Sequence, residues 1–177
     1  MFFIYPTEEQ HQYAEYLVNN YNFGQRGYGD GNKKMQKVGV LGQICMADLL
    51  KMERPDGALG FDGGFDFVIN GKKVDIKTMG RTVDMKEHYV HNFVAYQFKY
   101  YCEYYIFMSY NYNNNKMSIC GLVSKKLFEE KAVLYKLGDI RTRDDGTTFA
   151  TRTPMYEIFQ RDLLTINSLE DIYKLIV

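Results

Sequence analysis

The sequence predicts an α/β domain, a central mixed β-sheet flanked by helices. Three observations predict it. Apolar residues recur at helical spacing between Lys33 and Met52, the pattern of a helix with one face in a core. Two apolar-alternating runs flank Asn70-Gly71, the preferred pair for a two-residue type I′ hairpin turn. Two further strand-like runs, YYIFMSYNY and MSICGLV, stand on either side of the turn sequence NNNK.

The elements follow in order. Thr7, then Glu8, Glu9 and Gln10, is a capping-box pattern that opens a helix of about 13 residues. The glycine-rich NFGQRGYGDGN is a loop. In the second helix Val38, Leu41, Cys45, Leu49 and Met52 should face the core, while Gly39 and Gly42 leave it thin enough for another element to approach. RPDGALGFDGG is a loop, and FDFVINGKKVDIKT is the hairpin. HYVHNFVAYQFKYYC reads as a helix. The second strand pair comes next, and Ser124 then caps a short helix over SKKLFEEKA. After a loop containing Asp144-Asp145-Gly146, TPMYEIFQRDLLTI fits either periodicity, and SLEDIYKLIV is a final helix capped by Ser168. The chain reads as a single domain over 1–177, with the N-terminal helix 7–20 and the segment 139–177 as elaborations.

Composition narrows the function classes. With 46% hydrophobic and 25% charged residues the chain is not a disordered one. No apolar run approaches the ~18 residues of a membrane span, and MFFIYPTEEQ lacks the basic start of a secretory signal. Lys plus Arg number 22, as do Asp plus Glu, so any attraction to a polyanion must come from local placement. Three cysteines, Cys45, Cys102 and Cys120, match no zinc spacing and suit a reduced, cytoplasmic protein. Abundant Lys, Asn, Ile and Tyr suit an AT-rich coding sequence, as in a phage or a low-GC bacterium.

The hairpin carries the chemistry. With Asn70 and Gly71 as the turn, Ile69 faces Lys72, Val68 faces Lys73, Phe67 faces Val74 and Asp66 faces Asp75. Paired residues share a face and successive residues alternate. Asp66, Asp75 and Lys77 should therefore share one face, with Phe65, Phe67, Val74 and Ile76 on the other. Two opposed Asp side chains cost roughly 0.2–1 kcal/mol, which a divalent cation would offset. Asp is also depleted in strands, and a local rule broken in this way marks a candidate functional site. Gly63 and Gly64, across from Lys77, should leave room for a substrate backbone. The plain alternative is a solvated polar face on which Lys77 neutralises Asp75.

Asp66, followed nine residues on by Asp75-Ile76-Lys77, resembles the D…(D/E)-x-K signature of the PD-(D/E)XK nuclease superfamily, the restriction-endonuclease-like fold. The order of elements is similar over residues 33–125. The resemblance implies a metal-dependent DNA hydrolase, an endonuclease in the first instance. It implies Mg²⁺, with Mn²⁺ as substitute, held by Asp66, Asp75 and the Ile76 carbonyl, and it implies Lys77 as the residue that orients water and stabilises transition-state charge. The literal Pro55-Asp56 lies ten residues too early, so Asp66 is preferred, with Asp62 as the outside candidate. Where members often carry a Glu on the first core helix, this chain has Gln43, which brings no charge. That departure keeps an alternative open: a catalytically inactive nucleic-acid-binding or protein-interaction domain on the same fold. A homodimer is implied by analogy, since one small domain cuts one strand.

Other candidates are weaker. Gln97-x-x-x-Tyr101 resembles a segment of the exonuclease branch related to bacterial recombination helicase-nucleases, and Gln97 and Lys99 could touch a phosphate. Lys33-Lys34 with Lys37, Lys72-Lys73, Lys125-Lys126 and Arg141-x-Arg143 could gather on one DNA-binding face. Among these, Lys72 and Lys73 stand out by their place at the hairpin tip. His88 and His91, three apart, could meet on a helix, but a zinc site needs further ligands.

Overall fold

A computed structural model describes residues 1–22, 32–58, 63–142 and 146–177. The loop core 23–31, Asp62 and the segment 143–145 lie outside the described residues.

A short strand β1 (Phe2–Ile4) precedes α1 (Glu8–Asn20). Both arms of the capping box form: Gln10 N donates to Thr7 Oγ1 at 3.2 Å, and Thr7 N to Gln10 Oε1 at 2.8 Å. Helix α2 (Lys33–Leu50) follows, capped by Asn32 and stopped at Lys51 in the left-handed region. Strands β2 (Phe67–Ile69) and β3 (Lys72–Arg81) form the hairpin in the expected register, Phe67 opposite Val74. Strands β5 (Tyr104–Asn111) and β6 (Lys116–Ser124) form the second pair. The five strands stand in the order β1-β6-β5-β3-β2. Strand β3 runs parallel to β5 and the other neighbours are antiparallel, so the sheet is mixed.

Each face of this sheet is buried. Alternate residues of β3 and β5 (Val74, Ile76, Ile106, Met108) meet α1, α2 and the C-terminal helix α4 (Leu169–Leu175) in one core. The intervening residues Tyr105 and Phe107 meet Phe93, Phe128 and Ile158 in a second. Gly42 explains how close α2 lies, because a Cβ there would stand 1.9 Å from Thr78 Oγ1 on β3. Gly39, by contrast, has nothing within 4 Å of the same position.

The second core corrects one expected element. The segment expected as a helix over HYVHNFVAYQFKYYC is strand β4 (Val90–Val94) followed by a 3₁₀ turn (Ala95–Lys99). Only His91 and Phe93 are fully buried there, an alternation of period two that a run of five residues states too briefly to read. The ambiguous stretch near the C-terminus resolves the same way. Its β10 (Met155–Phe159) lies between β4 and β7 (Val133–Tyr135) in a second, antiparallel sheet. Helix α3 (Lys125–Lys131), capped by Ser124, sends Phe128 into that core. Strands β8 (Ile140–Thr142) and β9 (Thr148–Ala150) make a separate hairpin. Among the described residues no helix is long and apolar enough to cross a membrane.

Candidate active site

Asn70 and Gly71 both adopt positive φ, 52° and 78°, as a type I′ turn requires. The Asn70 amide also donates to the carbonyls of Tyr173 and Ile176, so the C-terminal end of α4 holds the hairpin tip.

The ladder between β2 and β3 stops one residue before the expected pair. Asp66 N still donates to Val74 O at 2.9 Å, but beyond it the Asp66 side chain replaces the strand. Its Oδ2 accepts from Ile76 N at 2.6 Å and its Oδ1 from Gln43 Nε2 at 2.7 Å. Asp66 is therefore not a same-face partner of Asp75. Its carboxylate lies at the strand edge, between α2 and the backbone of β3. The Ile76 carbonyl faces this same edge, because N–H and C=O of one residue in an extended strand point to one side. Phe65, expected on the Phe67 face, packs instead against the second core, which is another sign that the chain has left the ladder.

Asp75 and Lys77 do share a face. The Lys77 ammonium lies 2.7 Å from Asp75 Oδ2, and their side chains are only 16% and 12% exposed. Lys77 also donates to Gln97 Oε1 at 3.1 Å and stands 5.3 Å from the centre of the Phe93 ring. Burial by itself would lower the Lys77 pKa. The Asp75 carboxylate outweighs it, Asp66 adds to the pull, and the net shift is upward. One ammonium is thus held charged under the influence of two carboxylates.

The remaining predicted residues divide. Gln97 reaches the site, from a 3₁₀ turn rather than a helix, while Tyr101, 64% exposed, does not share its role. Lys72 pairs with Glu103 at 3.2 Å. Lys73 Nζ lies 4.4 Å from the Phe65 ring centre and 5.1 Å from that of Tyr101. Lys99 is exposed beside Tyr100. Lys33 and Lys34 are exposed at the start of α2, roughly 15 Å along its axis from Gln43. Lys125 holds the 3₁₀ turn by donating to the carbonyls of Phe98 and Tyr100, 2.7 Å each. Gly64 leaves room for Tyr100 rather than for a substrate, since a Cβ there would meet Tyr100 Cβ at 2.3 Å.

The two histidines do not form a pair on a helix. His91 is buried on β4, with Nε2 2.7 Å from Gln160 Oε1, and burial pushes its pKa down to about 4. His88 stands outside β4, edge-on to Tyr89. Sequence reading also passed over Arg81. The only signal for it was its period-two placement on the Lys77 face of β3.

Among the described residues there is no group of three or more His, Cys, Asp or Glu placed so as to hold a metal ion. The Asp66 carboxylate and the Ile76 carbonyl at the strand edge, and the Asp75 carboxylate on the Lys77 face, are hard oxygens, the ligand type that Mg²⁺ takes. Gln43 and Ile76 N take one lone pair on each oxygen of Asp66, and Lys77 takes one on Asp75 Oδ2. Compared with protein-family models, curated proteins and solved structures, the chain gives no match in any of the three.

Proposed function

We propose that the chain is a Mg²⁺-dependent deoxyribonuclease, an endonuclease of the PD-(D/E)XK type on a restriction-endonuclease-like fold, working in the cytoplasm. The observation that carries this reading is the pair of contact sets on β3, Gln43 and Ile76 N on Asp66 and Lys77 on Asp75, with Asp66 near enough to Lys77 to help hold it charged. Asp66, Asp75 and the Ile76 carbonyl would hold the ion. When bound, it would supply positive charge to the scissile phosphate and acidify the attacking water. Lys77, kept protonated by its acidic neighbours, would orient that water and stabilise negative charge on the phosphate. Gln97 and Phe93 fix the Lys77 rotamer, so the ammonium arrives already positioned. Gln43 holds one oxygen of Asp66 and keeps the other towards β3. Lys72, Lys73 and Lys99 near the site, with Lys33 and Lys34 further along α2, would take backbone phosphates of the DNA. A homodimer would let two such sites cut both strands.

A second reading is favoured by one observation: both carboxylates already have internal partners, Gln43 and Ile76 N for Asp66 and Lys77 for Asp75. That closed network suits a binding domain on the same scaffold that has no catalytic ion. Incubation with supercoiled plasmid, linear duplex, single strand and RNA, each with Mg²⁺ or EDTA, separates the two. The enzyme reading expects EDTA-sensitive cleavage that Asp75→Asn abolishes. It also expects Lys77→Ala to slow cleavage by at least ~10²-fold, the scale of losing one positioned proton-transfer or charge-stabilising group. Undiminished cleavage by Lys77→Ala, in protein free of contaminating nuclease, would rule it out.

A further inference from the structure

Further along β3 lies a cavity of about 580 Å³, lined by Met79 and Arg81 of β3, by β4 and β10, and by the β8–β9 hairpin. Its size falls within the usual range of ligand sites, ~300–1,000 Å³. Its chemistry is specific. Arg81 stacks on the Tyr89 ring at 5.4 Å, and Arg141 lies between the rings of Tyr135 and Phe149, at 4.9 and 4.8 Å. The Arg141 guanidinium is neutralised by Glu157, which Asn92 also approaches at 3.4 Å. Among the described residues Arg81 forms no ion pair, although Glu157 is near enough to act on its charge: one amino group donates to the Val90 carbonyl and to the Met79 sulfur, and Nε is buried with no hydrogen-bond partner. The Arg81 guanidinium charge thus lacks an ion-pair partner among the described residues, and an anion that enters the cavity is the ligand such a charge favours. Aromatic walls beside an anion-seeking arginine suit a flat ring that carries a phosphate.

We propose that this cavity receives one unstacked nucleotide of a nucleic-acid strand, with its base against the aromatic walls and its phosphate on Arg81. The proposal deepens the nuclease reading and rests on it for the place of the cleaved bond. Lys77, Met79 and Arg81 project to one face of β3, and Lys77 to Arg81 spans about 13 Å, the length of about four stacked nucleotides. A strand with one phosphate at Lys77 can therefore put a nearby unpaired base in the cavity. Base stacking on aromatic rings does not depend on sequence, so the preference is for unpaired structure, such as a frayed end, flap or single strand. A closed duplex is disfavoured.

The test is fluorescence anisotropy of a labelled single-stranded oligonucleotide in EDTA, where cleavage is absent. Single strand should bind at least tenfold tighter than duplex of the same sequence, and deoxynucleoside monophosphate should compete it off. Arg81→Gln should weaken binding at least tenfold. Phe149→Ala, on the separate β8–β9 hairpin, should weaken it severalfold and serves if Arg81→Gln does not fold. Equal binding of duplex and single strand, or of wild type and a folded Phe149→Ala, overturns the proposal. So does binding of the free monophosphate without binding of the strand. Mg²⁺-dependent cleavage of plasmid, measured separately, keeps the two ideas apart. Cleavage with Arg81-independent binding removes only the cavity's role, and Arg81-dependent binding without cleavage removes only the nuclease.

Discussion

Gln43 is the residue on which the proposed chemistry turns. Its amide donates to Asp66 at 2.7 Å, where an acid would confront another acid. Gln43→Glu exchanges that hydrogen bond for a like-charge contact, which is destabilising in a half-buried setting. Without divalent ion the variant should melt below wild type. With Mn²⁺ it should recover or exceed it, because a third carboxylate would join the donor set, and calorimetry should read a tighter Mn²⁺ affinity. Unchanged melting and affinity would mean that Gln43 does not face the ion. The sequence brings Gln43 into consideration through the family resemblance, at the place on the first core helix where members often carry a Glu. It does not tell which Asp receives it. That depended on Asp66 leaving the ladder one residue early and turning its carboxylate to Ile76 N, and strand ends are set by tertiary packing rather than by the alternation of residues.

At the scale of elements, legibility followed the length of the periodic signal. The capped helix α1, the long α2 and the Asn-Gly hairpin declare themselves because each rule they follow is local. Strand β4 does not: its residues look helical until β10, far along the chain, supplies the ladder. Its burial of His91 has a measurable consequence. The folded pKa of about 4 lies below the ordinary value of 6.5, so below pH 6.5 the unfolded chain takes up a proton that the native chain refuses. The stabilisation is complete above about pH 6.5 and falls as pH drops towards 4, by about 3 kcal/mol at 1.36 kcal/mol per pH unit. His91→Gln removes that titration and should flatten the fall in stability over this window; an unchanged profile would assign the acid sensitivity to carboxylates. The α2–β3 contact offers a second measurement. Gly42→Ala drives a methyl into Thr78 and should cost about 1–3 kcal/mol. Gly39→Ala, on an open part of the same helix, should stabilise by roughly 0.5–1 kcal/mol. Denaturant midpoints distinguish the pair, and equal effects would mean that α2 does not lie against β3 at Gly42.

At the scale of the molecule, the site stands between two cores that the sequence shows only as apolar runs without assigning them to faces. Asp66 and Asp75 belong to one hairpin, but Gln43 comes from the α2 layer and Gln97 from the turn beside the opposite layer. The arrangement therefore exists only when both cores have formed, and an ion that binds it stabilises the whole fold. At a Mn²⁺ concentration one hundred times the dissociation constant, the gain is about 2.7 kcal/mol, which for a chain of this length raises the melting midpoint by roughly 5–10 °C. Asp66→Asn and Asp75→Asn should each abolish that rise. Phe128→Ala, in the core remote from α2, should lower the starting stability by about 3–5 kcal/mol yet leave the Mn²⁺ increment, since the donor set is intact once the chain folds. If the increment survives in both Asp variants, the ion binds elsewhere, and Asp66, Asp75 and Lys77 are reduced to an ion-paired strand edge. If it disappears in both and persists in Phe128→Ala, the two carboxylates hold the metal, and the plasmid assay then tests a defined centre.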